Sequence, residues 1–105
     1  MRIDLSRLDA HAADSMGLQR TVEHPSGDVL SGLLETVVGP WLASAPLAVW
    51  TCRAEVRGEW VDIAEFPWSR NRGSGFQLLA ADEPVEHLLT EGATVFKIAC
   101  LPSFG

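Results

Sequence analysis

The chain has 105 residues, enough to bury one core without a metal or disulfide staple, so a single small globular domain over 1–105 is expected. An apolar fraction of 47% excludes a disordered chain, and no apolar run reaches the roughly 18 residues a membrane-spanning helix needs. Fourteen acidic and eight basic side chains leave a net charge of −6, which argues against nucleic-acid binding and suits a basic partner.

The opening stretch, MRIDLSRLDAHAAD, carries acids where a secretory signal needs an apolar run, so a cytoplasmic protein is expected. An initial Met1 without a tag reads as a complete small protein. Ile3 and Leu5 alternate with Arg2 and Asp4 as a short strand. Ser6 to Asp9 then resembles a helix start, predicting a short helix from about Arg7 to Met16 that ends at Gly17. Leu18 to Glu23 returns as a strand.

Pro25 and Gly27 break the chain, and Ser26 or Asp28 can cap the next helix. Leu30, Leu33, Leu34, Val37, Val38 and Trp41 recur at spacings of three and four, predicting an amphipathic helix over about 28–38. Gly39-Pro40 should stop or kink it.

The clearest period-2 pattern is the stretch 47–66, two strands joined at Arg57-Gly58-Glu59. Trp50, Cys52, Ala54 and Val56 share one face, and on the second strand Val61 and Ile63 face the same core. Two registers compete. A loop at Arg57-Gly58 sets Arg53 opposite Asp62 and Cys52 opposite Ile63, whereas a loop at Gly58-Glu59 sets Glu55 opposite Asp62. Opposite charges favour the first, while glycine at the first loop position favours the second.

Beyond the hairpin, Phe76 to Ala80 is a candidate strand, and Asp82 can cap a short helix burying Val85, Leu88 and Leu89. Thr94 to Leu101 is apolar on both faces except at Lys97, as a central strand would be. Strands interrupted by isolated helices predict an α+β fold. It would be a mostly antiparallel sheet built on the hairpin and on the C-terminal strand (about 94–101). The 28–38 helix and one or two short helices would cover it.

The residues with chemical potential are few. Trp68, Arg70, Asn71 and Arg72 lie in a Gly-rich loop, and Arg53, Arg57, Arg70 and Arg72 are half of the eight basic residues. Arginine forks recognise carboxylates and phosphates, and Arg and Trp are enriched at binding hot spots, so these four are partner-binding candidates. The plain alternative is a solvated turn, and the spacing is not that of a phosphate loop. Glu65 shares parity with Val61 and Ile63, which makes it a possible polar group in a pocket lined by Trp41, Trp50 and Trp60; a strand end reaching solvent is the plainer reading.

His11, His24 and His87 form no spaced pair, and no nucleophile motif occurs. Ser26-Gly27-Asp28 reads as a cap, with anion binding through free amides as the alternative, and Asp82, Glu83, Glu86 and Glu91 as a solvated face, while Glu55, Glu59, Asp62 and Glu65 around the hairpin are candidates for a general acid and base pair. Cys52 and Cys100 sit on inward faces without metal or redox spacing, which favours buried free thiols, with a disulfide between them as the alternative. No cofactor or metal motif is present. The composition favours a non-enzymatic, antitoxin-like or immunity-like module that binds a protein partner, with a small-molecule pocket or self-association as the rival readings.

Overall fold

The computed structural model describes residues 1–7, 19–42, 49–67 and 76–103. Six strands form one mixed sheet: β1 (Arg2–Arg7), β2 (Gln19–Glu23), β3 (Val49–Val56), β4 (Glu59–Phe66), β5 (Gln77–Leu78) and β6 (Val95–Ser103). Their order is β2-β1-β6-β3-β4-β5, so the C-terminal strand is central. It runs parallel to β1 and antiparallel to β3, and every other pairing is antiparallel. The fold is α+β. The candidate strand at 76–80 shrinks to two residues on the sheet edge.

The hairpin adopts the register that sets Arg53 opposite Asp62, with an ion pair of 3.0 Å between them. Val56 faces Glu59 across a two-residue loop in which Arg57 (φ 50°) and Gly58 (φ 90°) are both left-handed. That is the dihedral signature of a type I′ turn, whose twist matches the flanking strands. The simple alternation fails one step later. Cys52 pairs with Ala64 instead of Ile63, because Ile63 is the extra residue of a β-bulge between the Cys52 and Arg53 pairs. Ile63 is nonetheless fully buried, and its carbonyl accepts the Leu79 N–H at 2.8 Å, tying β4 to the segment at β5.

Helix α1 runs over 30–42 and lays Leu30, Leu33, Leu34, Val38, Trp41 and Leu42 against the sheet. It does not stop at Gly39-Pro40. Proline has no N–H for the preceding turn and its ring crowds the carbonyl four residues back, so a regular helix would break there. A π turn over Leu34–Val38 widens the coil instead, with the Gly39 N–H donating to the Leu34 carbonyl five residues earlier. A side chain at Gly39 would sit 3.3 Å from that carbonyl oxygen and 3.6 Å from the Phe66 ring. The continued helix carries Trp41 and Leu42 into the core.

Both ends of α1 are held from elsewhere in the chain. Neither Ser26 nor Asp28 caps its first turn. Asp82 does, accepting the Ser31 N–H at 2.8 Å and the Ser31 hydroxyl at 2.7 Å. Asp82 therefore does not cap the short helix α2 (Val85–Leu88), which comes after Pro84. At the other end, Arg7 donates to the Trp41 carbonyl at 2.7 Å and its guanidinium lies 5.1 Å from the centre of the Trp41 ring. Arg7 is the last residue of β1; the remainder of the helix expected from there lies outside the described residues.

The core is continuous: Ile3 and Leu5 from β1, Trp50, Cys52 and Ala54 from β3, Phe96, Ile98 and Cys100 from β6, and Val85 and Leu88 from α2 join the helix stripe. Both described helices thus cover one face of the sheet.

Candidate functional site

The opposite face of the sheet carries the polar half of each alternating strand, and the register arranges it in rows. One row runs Gln77, Glu65, Thr51 and Leu101. The next runs Asp62, Arg53, Ala99, Ser6 and Gln19. A third places Trp60 beside Glu55, and Lys97 beside Asp4 and Thr21. Ser6 and Ala99 place small side chains in the middle of the sheet.

Four charges are neutralised in two ion pairs within the face. Arg2 meets Asp4 at 3.2 Å and Arg53 meets Asp62 at 3.0 Å. Asp4 also accepts the Thr21 hydroxyl at 3.1 Å, which leaves no ion pair for Lys97 although Lys97 is its register partner. Glu55, Glu65 and Lys97 take part in no ion pair among the described residues. The uncompensated balance of the face is mildly acidic.

Trp60 is the outlier on this surface. Its side of β4 faces away from the helices, and it is 43% exposed, with Leu101 on the same face at 41%. An open groove of about 440 Å³ runs along the face, with Trp60, Lys97, Asp4, Arg2, Ser6 and Thr21 among its lining residues. An indole beside charged and hydroxyl side chains offers a flat apolar contact within a polar rim, the composition of a protein-binding hot spot.

The sites expected from sequence fall in different places. Trp68, Arg70, Asn71 and Arg72 lie outside the described residues. Glu65 does not point inward with Ile63: the bulge reverses its parity, pairing it with Thr51 on the face that no described helix covers, where it is half-buried. Trp41 and Trp50 pack in the core whereas Trp60 lies across the sheet from them, so these three do not surround one cavity.

His24 is held by Asp28, with Nε2 to Oδ2 at 2.7 Å, in the turn before α1, and His87 is exposed on α2. Gly32 makes room for that Asp28 carboxylate, since a side chain there would meet it at 2.6 Å. Among the described residues no three His, Cys, Asp or Glu side chains gather as a metal-ligand set, and no helix is long and apolar enough to cross a membrane. Cys52 and Cys100, by contrast, are brought together, directly opposite one another on β3 and β6.

Comparison with known protein families, with curated proteins and with solved structures finds no match to this chain.

Proposed function

We propose that this chain is a non-enzymatic protein-binding module, accessory or immunity-like in kind, that docks a basic protein partner on the face of its sheet that no described helix covers. The observation that carries the reading is Trp60, 43% exposed beside an open groove on a face that no described helix covers. The exposed part of the indole gains the fold little, whereas its desolvation against a partner would add to affinity. Net charge of −6 and the uncompensated Glu55 and Glu65 favour a basic partner, whose approach they would accelerate. Trp68, Arg70, Asn71 and Arg72 are proposed as further anchors for the same partner.

The test is affinity capture from the source lysate with wild type, Trp60→Ala and Arg70→Ala/Arg72→Ala, followed by titration of the purified captured protein. Support would be one stoichiometric basic partner whose affinity falls roughly tenfold or more with Trp60→Ala and weakens as salt rises. Equal affinity for wild type and Trp60→Ala would remove the sheet face from the interface. A second copy of this chain as the captured species would replace the heteromeric reading with self-association.

A further inference from the structure

We infer that Cys52 and Cys100 form an intramolecular disulfide-forming pair, a redox modification site that bolts β3 to the central strand β6 beneath α1. This is independent of the docking face. The two cysteines are register partners in an antiparallel ladder. Directly opposed residues of such a ladder have Cα atoms about 4.5–5.5 Å apart, inside the roughly 4.4–6.8 Å that a disulfide spans. Both side chains point to the same face, and their sulfur atoms are already in contact at 2.6 Å. The backbone therefore has no distance to travel.

Both thiols are fully buried in the apolar core. The hydrogen bond to Cys100, burial and the neighbouring sulfur all push the Cys52 thiol up from its ordinary range, so Cys52 keeps its proton in the closed fold. Since the attacking thiolate must also reach its reagent and both sulfurs are fully buried, oxidation requires β3 and β6 to part or the chain to be folding. Once one thiolate is exposed, it attacks the S–S bond of a small-molecule disulfide and expels one thiolate of that reagent. The second cysteine then attacks the mixed disulfide through its own thiolate and expels the other. Two protein thiols lose two electrons and two protons, one small disulfide becomes two thiols, and the new bond closes a loop with a sequence separation of 48. In a reducing setting the same chemistry runs backward, so the redox state of the surroundings sets the stability of the sheet.

The probe is oxidised glutathione, applied to the full chain in buffer and in denaturant near the unfolding midpoint, with intact mass, peptide mapping and thermal unfolding as readouts. The expected product is a monomer lacking two hydrogens, with a Cys52–Cys100 cross-link. It should form slowly in buffer and faster as denaturant opens the fold, with Tm raised by about 10 °C and restored by reductant. Stable glutathione adducts, disulfide-linked dimers, unchanged free thiols after an unfolding and refolding cycle, or a cross-linked product with lowered Tm would each overturn the inference. Wild-type protein suffices throughout, so no outcome depends on whether a cysteine variant folds.

Discussion

Asp82 and Ser31 are 51 residues apart in sequence, and the carboxylate of the first holds the start of helix α1 through the second. Replacing Asp82 with Ala removes a charge-assisted bond to a helical N–H and another to a hydroxyl. Loss of an N-cap costs about 0.5–2 kcal/mol, and removing a negative charge from a helix start adds about 0.3–1 kcal/mol. The site is exposed, so water recovers part of this. We expect a net loss of about 1–2 kcal/mol, seen as a fall in Tm of roughly 5–15 °C. Ser31→Ala alone is less informative, because alanine's better helix propensity offsets the lost hydroxyl bond. The propensity gain cancels in a double-mutant cycle. Urea unfolding of wild type, both single variants and the double variant should yield a coupling of about 0.5–1 kcal/mol. If Asp82 instead capped the helix on its C-terminal side, the coupling would vanish. A value within about 0.3 kcal/mol of zero refutes the hydroxyl bond, and an Asp82→Ala loss below about 0.3 kcal/mol refutes the long-range cap.

The hairpin and the thiol pair give two further predictions. Gly58 sits at φ 90° in the turn with open space around it, so Gly58→Ala meets no clash, yet it should lose about 1–2 kcal/mol in urea unfolding through backbone strain alone. A loss below about 0.3 kcal/mol would contradict the left-handed turn. The Cys52 thiol is raised in the folded state, first by its hydrogen bond to Cys100 and then by burial. Folded protein therefore holds this proton more tightly than unfolded protein, whose thiol titrates near about 8.5. This contribution is complete below that pH and is lost as pH rises above it, by up to about 1.4 kcal/mol per pH unit. Denaturation of the reduced chain at several alkaline pH values should show that slope, and Cys52→Ala should diminish it.

Much of the architecture was legible because it rests on side-chain period. The alternation in 47–66, the apolar stripe after Asp28 and the two-faced apolar run at the C-terminus correspond to the hairpin, α1 and the central strand β6. Opposite charge at Arg53 and Asp62 selected the hairpin register correctly as far as the bulge. What was not legible depended on contacts distant in sequence. A bulge adds one residue without altering composition, and that single step moved Glu65 to the other side of the sheet. Gly39-Pro40 reads as a stop or a kink, and sequence alone does not choose between them; the π turn that accommodates Pro40 lets the helix continue and bury Trp41 and Leu42. Caps show the same limit, since Asp82 resembles a local cap and serves a helix that precedes it. At the candidate site the parity of Trp60 was available, as it alternates with Val61 and Ile63. Grouping it with Trp41 and Trp50 obscured that parity.

Trp50 and Trp60 now give a comparison within one hairpin that separates folding from recognition. Trp50 lies in the core at 4% exposure, opposite Phe66, whereas Trp60 lies on the other face at 43% exposure, opposite Glu55. Truncating Trp50 to Ala should cost about 3–5 kcal/mol, a large part of the roughly 5–15 kcal/mol that holds a domain of this size together. Truncating Trp60 removes an indole that already meets water over much of its surface, so the cost should stay within about 0.5–1 kcal/mol. Urea denaturation of the two variants measures both numbers under identical conditions. A Trp60 variant that lost more than about 2 kcal/mol would show that the indole is held for the fold. The docking face would then lack its anchor. A nearly neutral Trp60 variant would show that the fold does not depend on the indole, as the proposed docking face requires.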